Sequence, residues 1–429
     1  MIHYYLGAYC LKLAKVGTGR NDGVSSQLAD DASHEFALAE QCDPYYCFPN
    51  KLEDIAVLKT AIVANPRGPK AYYYLGCLYY DKLGFDAAIR LWEESRKLDD
   101  TYPTLLRNLS IAYYNKQGNK DKAKEYIERA FALDKTDARV FLEMDQLYQR
   151  LNVSLEERLA GYTENIALIE KRDELYTEYV TLLNSLGKYS EAHDRVTSHN
   201  FQTWEGAEGK ITAQFKLSLF MLAKAAYEKS EYDKAKELLT EALSYPENLG
   251  EGRLEGTKDN NLYYLLALVE EKLATAAIID VETSDNSEAQ QALLAASRQH
   301  LEAATLGASE PAGMMYYYDQ PADMILFQGL ALEKLGDTKA ANSRFYKLLD
   351  YGEQHLKDEF LMDYFAVSMP DMSVYDTDMN LKNTEHCYYL MGLANLGLKN
   401  IEKAKAWFEK ALALDNTHQL SKIYMIYNI

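Results

Sequence analysis

Residues 74–99, YLGCLYYDKLGFDAAIRLWEESRKLD, spell two helices and a tight turn. Small Gly76 lies in the first helix and Gly84 marks the turn. The second helix brings Ala88, Trp92 and Ser95 round at helical spacing before Asp99 and Asp100 close the unit. Taking Gly76 as origin, the same skeleton of small and large residues returns at roughly 34-residue intervals. Gly329 leads to Ala341, Phe345 and Leu348, and Gly392 to Ala404, Phe408 and Ala411. Weaker copies run from Ser110 to Ala123, Ile127 and Ala130, from Val180 to Ala192 and Val196, and from Ala223 to Ala235, Leu239 and Ala242. Two further copies carry long insertions, expected to be loops: Leu6-Gly7 pairs with Ala32, Phe36 and Ala39, and Leu265 with Ser297, Leu301 and Ala304.

These units resemble tetratricopeptide repeats. The resemblance implies an all-α, right-handed α-α superhelix of about eight helix pairs, a fold that usually serves as a binding scaffold. One array is expected over residues 1–429, irregular over 1–66, regular over 67–200, interrupted by loops over 201–323, and closed by C-terminal repeats over 324–429. The small residues let paired helices approach, and the aromatic of the second helix fills the gap against the next unit. Asp43-Pro44, Asn65-Pro66 and Asp415 stop one helix and help to cap the next.

Composition agrees with this class. A chain of 429 residues exceeds what one compact core serves, and its 48% apolar and 26% charged residues are globular proportions. Nine prolines, long runs of Ala, Leu, Glu and Lys, and no extended apolar-polar alternation read as all-α. A net charge of -19 with no basic cluster excludes nucleic acid and anionic membrane surfaces as partners. Apolar runs such as Leu217–Ala226 fall short of the ~20 residues that span a bilayer. Cys10, Cys42, Cys47, Cys77 and Cys387 are odd in number and lack CxxC spacing, which fits a reducing, cytoplasmic setting without disulfides or zinc. The opening MIHYYLGAYCLKLAK already matches a repeat's first helix through Tyr4, Leu6 and Gly7. An uncapped hydrophobic end is therefore expected, as in the downstream part of a longer polypeptide.

Ligand recognition is sought on two surfaces. The resemblance puts the first helices on the inner face, at Tyr73, Cys77 and Tyr80, then Arg107, Ile111 and Tyr114, then Phe220, Lys224 and Tyr227, then His386, Tyr389 and Leu393. With 35 tyrosines in the chain, such a groove is aromatic and sparsely charged. It suits peptide or glycan recognition, although tyrosines at helical spacing equally serve packing. A Lys and Asn clamp for a chaperone's terminal carboxylates, known in this class of repeat, is absent. Tyr73 and Cys77 stand at its first positions, and only Arg107 and Asn108 are suggestive.

The second surface is a set of loops at 201–210 (FQTWEGAEGK), 245–256 (YPENLGEGRLEG), 314–323 (MMYYYDQPAD) and 364–371 (YFAVSMPD). Trp204 with Glu205 and Glu208, Asn248 with Glu251, Tyr318 with Asp319, and Asp371 combine ring faces with hydrogen-bond acceptors. The same acids would serve as well at helix N-termini, and Trp204 as a plug between units.

Catalysis has no motif behind it. GxGxxG, GxxxxGK[ST], GxSxG and HExxH are all missing, and His193 and His199 do not share a helix face. Together, YYLGCLYYDKLGFDAAIRLWEES, PTLLRNLSIAYYN, WEGAEG, PENLGEG, YYDQPAD and DYFAVSMPD resemble the C-terminal region of large bacterial proteins of unassigned function. In those, a β-rich N-terminal half resembles carbohydrate-active enzymes. The expectation is a non-catalytic protein-interaction or domain-docking scaffold without cofactor or metal. Its partner would be a protein, a peptide or an N-terminal domain of the same polypeptide. The alternative is a carbohydrate-binding or accessory half of a glycoside-processing enzyme.

Overall fold

The computed structural model describes residues 1–16, 22–202, 207–280, 284–313, 319–359 and 373–426, and these form helices with no strand among them. They group into two compact units, the first comprising Met1–Leu147 with Ser373–Asp376, the second Tyr148–Met372 with Thr377–Ile429.

The first unit holds α1 (Ile2–Val16), α2 (Asp22–Gln41), α3 (Leu52–Ala64), α4 (Pro69–Asp81), α5 (Phe85–Leu98), α6 (Pro103–Gln117), α7 (Lys120–Leu133) and most of α8 (Ala138–Arg150). Proline opens α4 and α6, where its missing N–H costs nothing. Between α4 and α5, a Cβ on Gly76 would lie 2.4 Å from Trp92, so only glycine admits the ring. The indole then donates from Nε1 to Tyr73 O at 3.2 Å, and Ser95 Oγ donates to Pro69 O at 2.9 Å. Gly7 takes Phe36 in the same manner between α1 and α2. The repeat expected to close at Asp99 ends in an Asp-x-Thr turn, and α7 ends in another of the same geometry. Asp99 and Asp134 each accept from the amide and hydroxyl of Thr101 and Thr136.

The second unit continues with α9 (Leu155–Glu164), α10 (Ile166–Ile169), α11 (Asp173–Ser185), α12 (Tyr189–Ser198), α13 (Lys210–Glu228), α14 (Tyr232–Ala242), α15 (Asn260–Asp280) and α16 (Ser284–Ala304). It ends with α17 (Ala322–Lys334), α18 (Thr338–His355), α19 (Met379–Gly397), α20 (Ile401–Leu414) and α21 (Gln419–Ile426). Gly329 seats Phe345 and Gly392 seats Phe408, each ring 2.3 Å from where a Cβ would stand. Ser297 Oγ donates to Ala267 O at 2.8 Å and fastens α16 to α15. The eight pairs read from the sequence are thus α1/α2, α4/α5, α6/α7, α11/α12, α13/α14, α15/α16, α17/α18 and α19/α20.

The insertions behave differently from expectation. Around Leu6-Gly7 and Leu265 the added residues lengthen the helices. The runs α2, α15 and α16 reach 20, 21 and 21 residues. Extending a helix adds one backbone hydrogen bond per residue fixed, so an alanine-rich insertion is cheaper as helix than as loop.

Candidate functional site

On α6, Tyr114 and Asn115 follow one another where the helix meets a segment from far along the chain. Asn115 Nδ2 donates to Val374 O at 2.8 Å, and Asn115 Oδ1 accepts from the Asp376 amide at 2.9 Å. One side-chain amide therefore satisfies a carbonyl and an amide two residues apart, on either side of the bend at Val374 and Tyr375. Between those two contacts the Tyr375 side chain plunges to 1% exposure. Its ring meets Tyr114 edge-on at 5.4 Å, and its hydroxyl lies 2.8 Å from Ser110 Oγ. Because Ser110 spends its only proton on Ala123 O at 2.7 Å, the Tyr375 hydroxyl is the donor in that second bond. Ser110 occupies the position that Gly76, Gly329 and Gly392 hold elsewhere, and it is the one hydroxyl among the eight units there. The seat for Tyr375 is peculiar to this pair.

Charge frames the seat. Lys116 Nζ is 3.8 Å from the exposed Asp376 carboxylate. Burial, with Asp376 adding to it, raises the Tyr80 hydroxyl above its ordinary range. Arg107 is gripped from two nitrogens by Glu143, at 2.5 and 2.6 Å. Burial opposes the guanidinium charge, but Glu143 outweighs it and Arg107 stays above its usual range, with Tyr375 a smaller contributor.

The sequence-predicted residues distribute unevenly over this picture. Tyr80, Arg107 and Tyr114 surround the docked segment. Tyr73 is buried instead, edge-on to Tyr102 at 5.0 Å. Burial pushes the neighbouring Cys77 thiol up to about 11, the mark of a packed apolar group. In the second unit Phe220 is core, 5.9 Å from Phe327, and half-buried Tyr227 packs on Tyr232. Asn248 donates to Val196 O and His199 O while its carbonyl accepts from Phe201. Glu251 accepts from the Gly209 amide at the start of α13 and from Thr212. Glu208 is exposed and Asp319 half-buried. Trp204, Glu205, Tyr318 and Asp371 lie outside the described residues.

The inner face of the second unit is filled. Phe327 is the hub, contacting Phe220, Tyr264 at 5.7 Å and Tyr424 of α21 at 6.3 Å; Tyr424 also donates to Asp323 at 3.0 Å. Gln419 of α21 donates to Thr181 O on α11 at 3.1 Å. Beside this core lies a buried ionisable group. Burial pushes Glu385 up to about 7 against the pull of Lys382, 3.0 Å away, and burial drives His418 down to about 4.

Sequence reasoning missed Asn115 and Tyr375. The flagged 364–371 loop stopped two residues short of the docked Ser373, and Asn115 follows a predicted groove residue. The signal was the serine replacing a repeat glycine. Among the described residues no three His, Cys, Asp or Glu side chains gather to hold a metal, and no helix is long and apolar enough to cross a membrane.

Several solved structures are similar to the chain. YrrB, a tetratricopeptide repeat protein with an unusual peptide-binding site, shares 17% identity over 43% of this chain and 90% of its own, with a TM-score of 0.32. A tetratricopeptide repeat protein from Parabacteroides merdae shares 14% over 75% of this chain and 97% of its own, at a TM-score of 0.33. PilW, a type IV pilus biogenesis factor, shares 14% over 58% and 92%, at 0.28. The tetratricopeptide repeat family model matches residues 108–137, which include Ser110 and Asn115, and residues 385–418.

Proposed function

We propose that this chain is a non-catalytic protein-interaction scaffold whose first unit presents its inner helical face to a short segment of a protein partner. The observation that carries the reading is the Asn115 amide, which satisfies a carbonyl and an amide of a bent backbone segment at 2.8 and 2.9 Å. Such recognition is indifferent to most side chains, and the adjoining Tyr375 seat supplies selectivity. A glycan reading has less behind it, because Asn248 and Glu251 already spend their hydrogen bonds on neighbouring backbone. A domain of the same polypeptide is a second candidate partner. Ile2, Leu6, Tyr9, Leu13 and Val16 are all exposed along one stripe of α1, which another helix would cover. Five unpaired thiols suit a reducing, cytoplasmic setting.

The test is selection from a random-peptide display library on the intact chain, repeated on Asn115→Ala. Ligands lost on the variant support the docking face. A selected set that is indifferent to Asn115 would sink it.

A further inference from the structure

We infer that the docking face of the first unit is held shut in cis, and that the partner it fits is a short, bent segment carrying a tyrosine followed directly by an acid. The inference rests on the docking-face reading above and adds to it the ligand's chemistry and a competitor. Ser373–Asp376 belongs to the first unit by contact although 265 positions separate Tyr375 from its partner Ser110. Each feature of the contact is one that a separate peptide could reproduce. Asn115 touches only main chain, so any segment that adopts the same bend satisfies it. The ring fills a slot against Tyr114 that ends at the Ser110 hydroxyl. Phenylalanine would forfeit the bond that the tyrosine hydroxyl donates to Ser110 Oγ, so tyrosine is favoured. The next residue comes within 3.8 Å of Lys116, which selects a carboxylate. The preceding Ser373 accepts from the Tyr375 amide at 3.2 Å and sets the turn that aims the ring inward.

A tethered segment meets its site at an effective concentration on the order of millimolar, so a partner peptide must displace it. If the face is open in about one molecule in ten, affinity for a separate peptide falls about tenfold. The residues that hold the segment are polar or half-exposed, apart from the one buried ring. That balance allows exchange without unfolding the helices.

The experiment uses the full chain and a fluorescein-labelled peptide spanning Ser373–Asp378, SVYDTD, read by fluorescence anisotropy. Tyr375→Ala, which vacates the seat, should bind the peptide at least about tenfold more tightly than the unaltered chain. Adding Asn115→Ala should abolish that binding, as should alanine in place of the peptide's tyrosine. If Tyr375→Ala fails to give a native far-UV circular dichroism spectrum, Tyr375→Phe takes its place, with an expected gain of about threefold. Equal affinity for the unaltered and vacated chains would overturn cis occupancy. Display selection on the vacated chain separates the two readings. Asn115-dependent ligands lacking a Tyr-acid pair would overturn the ligand chemistry but keep the docking face, whereas no Asn115-dependent ligand at all would remove both.

Discussion

The two units meet the same geometric problem, an inner face of first helices, and solve it with different chemistry. In the second unit the face is closed by apolar contact, with Phe220, Tyr264 and Tyr424 all gathered on Phe327 and α21 buried at Ile423 and Tyr424. In the first, the corresponding surface holds four residues of bent chain through an asparagine, a serine and a lysine. Apolar filling is non-directional and collective, so it is lost only with the fold. A few directional bonds can be exchanged one at a time for those of a competitor. The difference marks the first unit as the exchangeable one.

The contrast is broken most severely at Phe327. It is fully buried, and Phe327→Ala removes the ring that three other aromatics share. A loss of roughly 3–5 kcal/mol is expected from urea unfolding followed by circular dichroism. A loss under about 1 kcal/mol would mean that the second unit's face tolerates opening as readily as the first.

Acid titration probes the same filled unit. Glu385 stands at about 7 in the folded chain against 4.5 unfolded, so unfolding releases a proton between those values and stability falls as pH rises through that window. The span corresponds to about 3 kcal/mol. His418 stands at about 4 against 6.5, so its contribution is lost as pH falls from 6.5 to 4. The slopes oppose and flatten the profile between about 4.5 and 6.5. Glu385→Gln should leave the histidine alone, giving a stability that climbs with pH across that range. A variant whose urea midpoint is flat there would refute the opposition.

At the level of a single methyl group, Gly76→Ala tests the packing that both units share. The new Cβ falls 2.4 Å from Trp92, whose indole is tethered to Tyr73 O and cannot swing aside. Overpacking of about 1–3 kcal/mol outweighs a helix-propensity gain of up to ~1 kcal/mol. The melting midpoint should therefore drop, and a rise would show that the aromatic seats are looser than their spacing implies.

Much of this architecture was legible in the sequence because close packing of helix pairs constrains residue size at fixed intervals. Gly76 with Trp92, Gly329 with Phe345 and Gly392 with Phe408 could be paired by counting alone, and Gly7 with Phe36 once an insertion is allowed. The closing of the second unit was not legible. Phe220 and Tyr389 are buried, and whether such a face stays open depends on where α21 lands, which a nearest-neighbour repeat pattern does not encode. The docked segment was illegible for the same reason. Ser110 and Tyr375 carry no mark of their pairing, and only the serine in a glycine position hinted that something extra is bound there. Of the two roles open to Glu251 in the loop at 245–256, the structure shows the helix-capping one. Glu251 meets the unsatisfied amide at the start of α13, a need every helix has.

The smallest expected effect is the one closest to function. Tyr375→Phe keeps the ring on Tyr114 and removes only the hydroxyl that donates to Ser110 Oγ. Ser110 retains its own bond to Ala123 O, so the helix pair α6/α7 is untouched and the cost falls on the docked segment, at about 1 kcal/mol. Global unfolding should barely register the change. Hydrogen exchange at the Asp376 amide, which Asn115 protects, should quicken about fivefold as the segment detaches more often. Unchanged protection at that amide, alongside unchanged global stability, would mean that the tyrosine hydroxyl does not hold the segment. The first unit's face would then be fixed by apolar contact, much as the second unit's is.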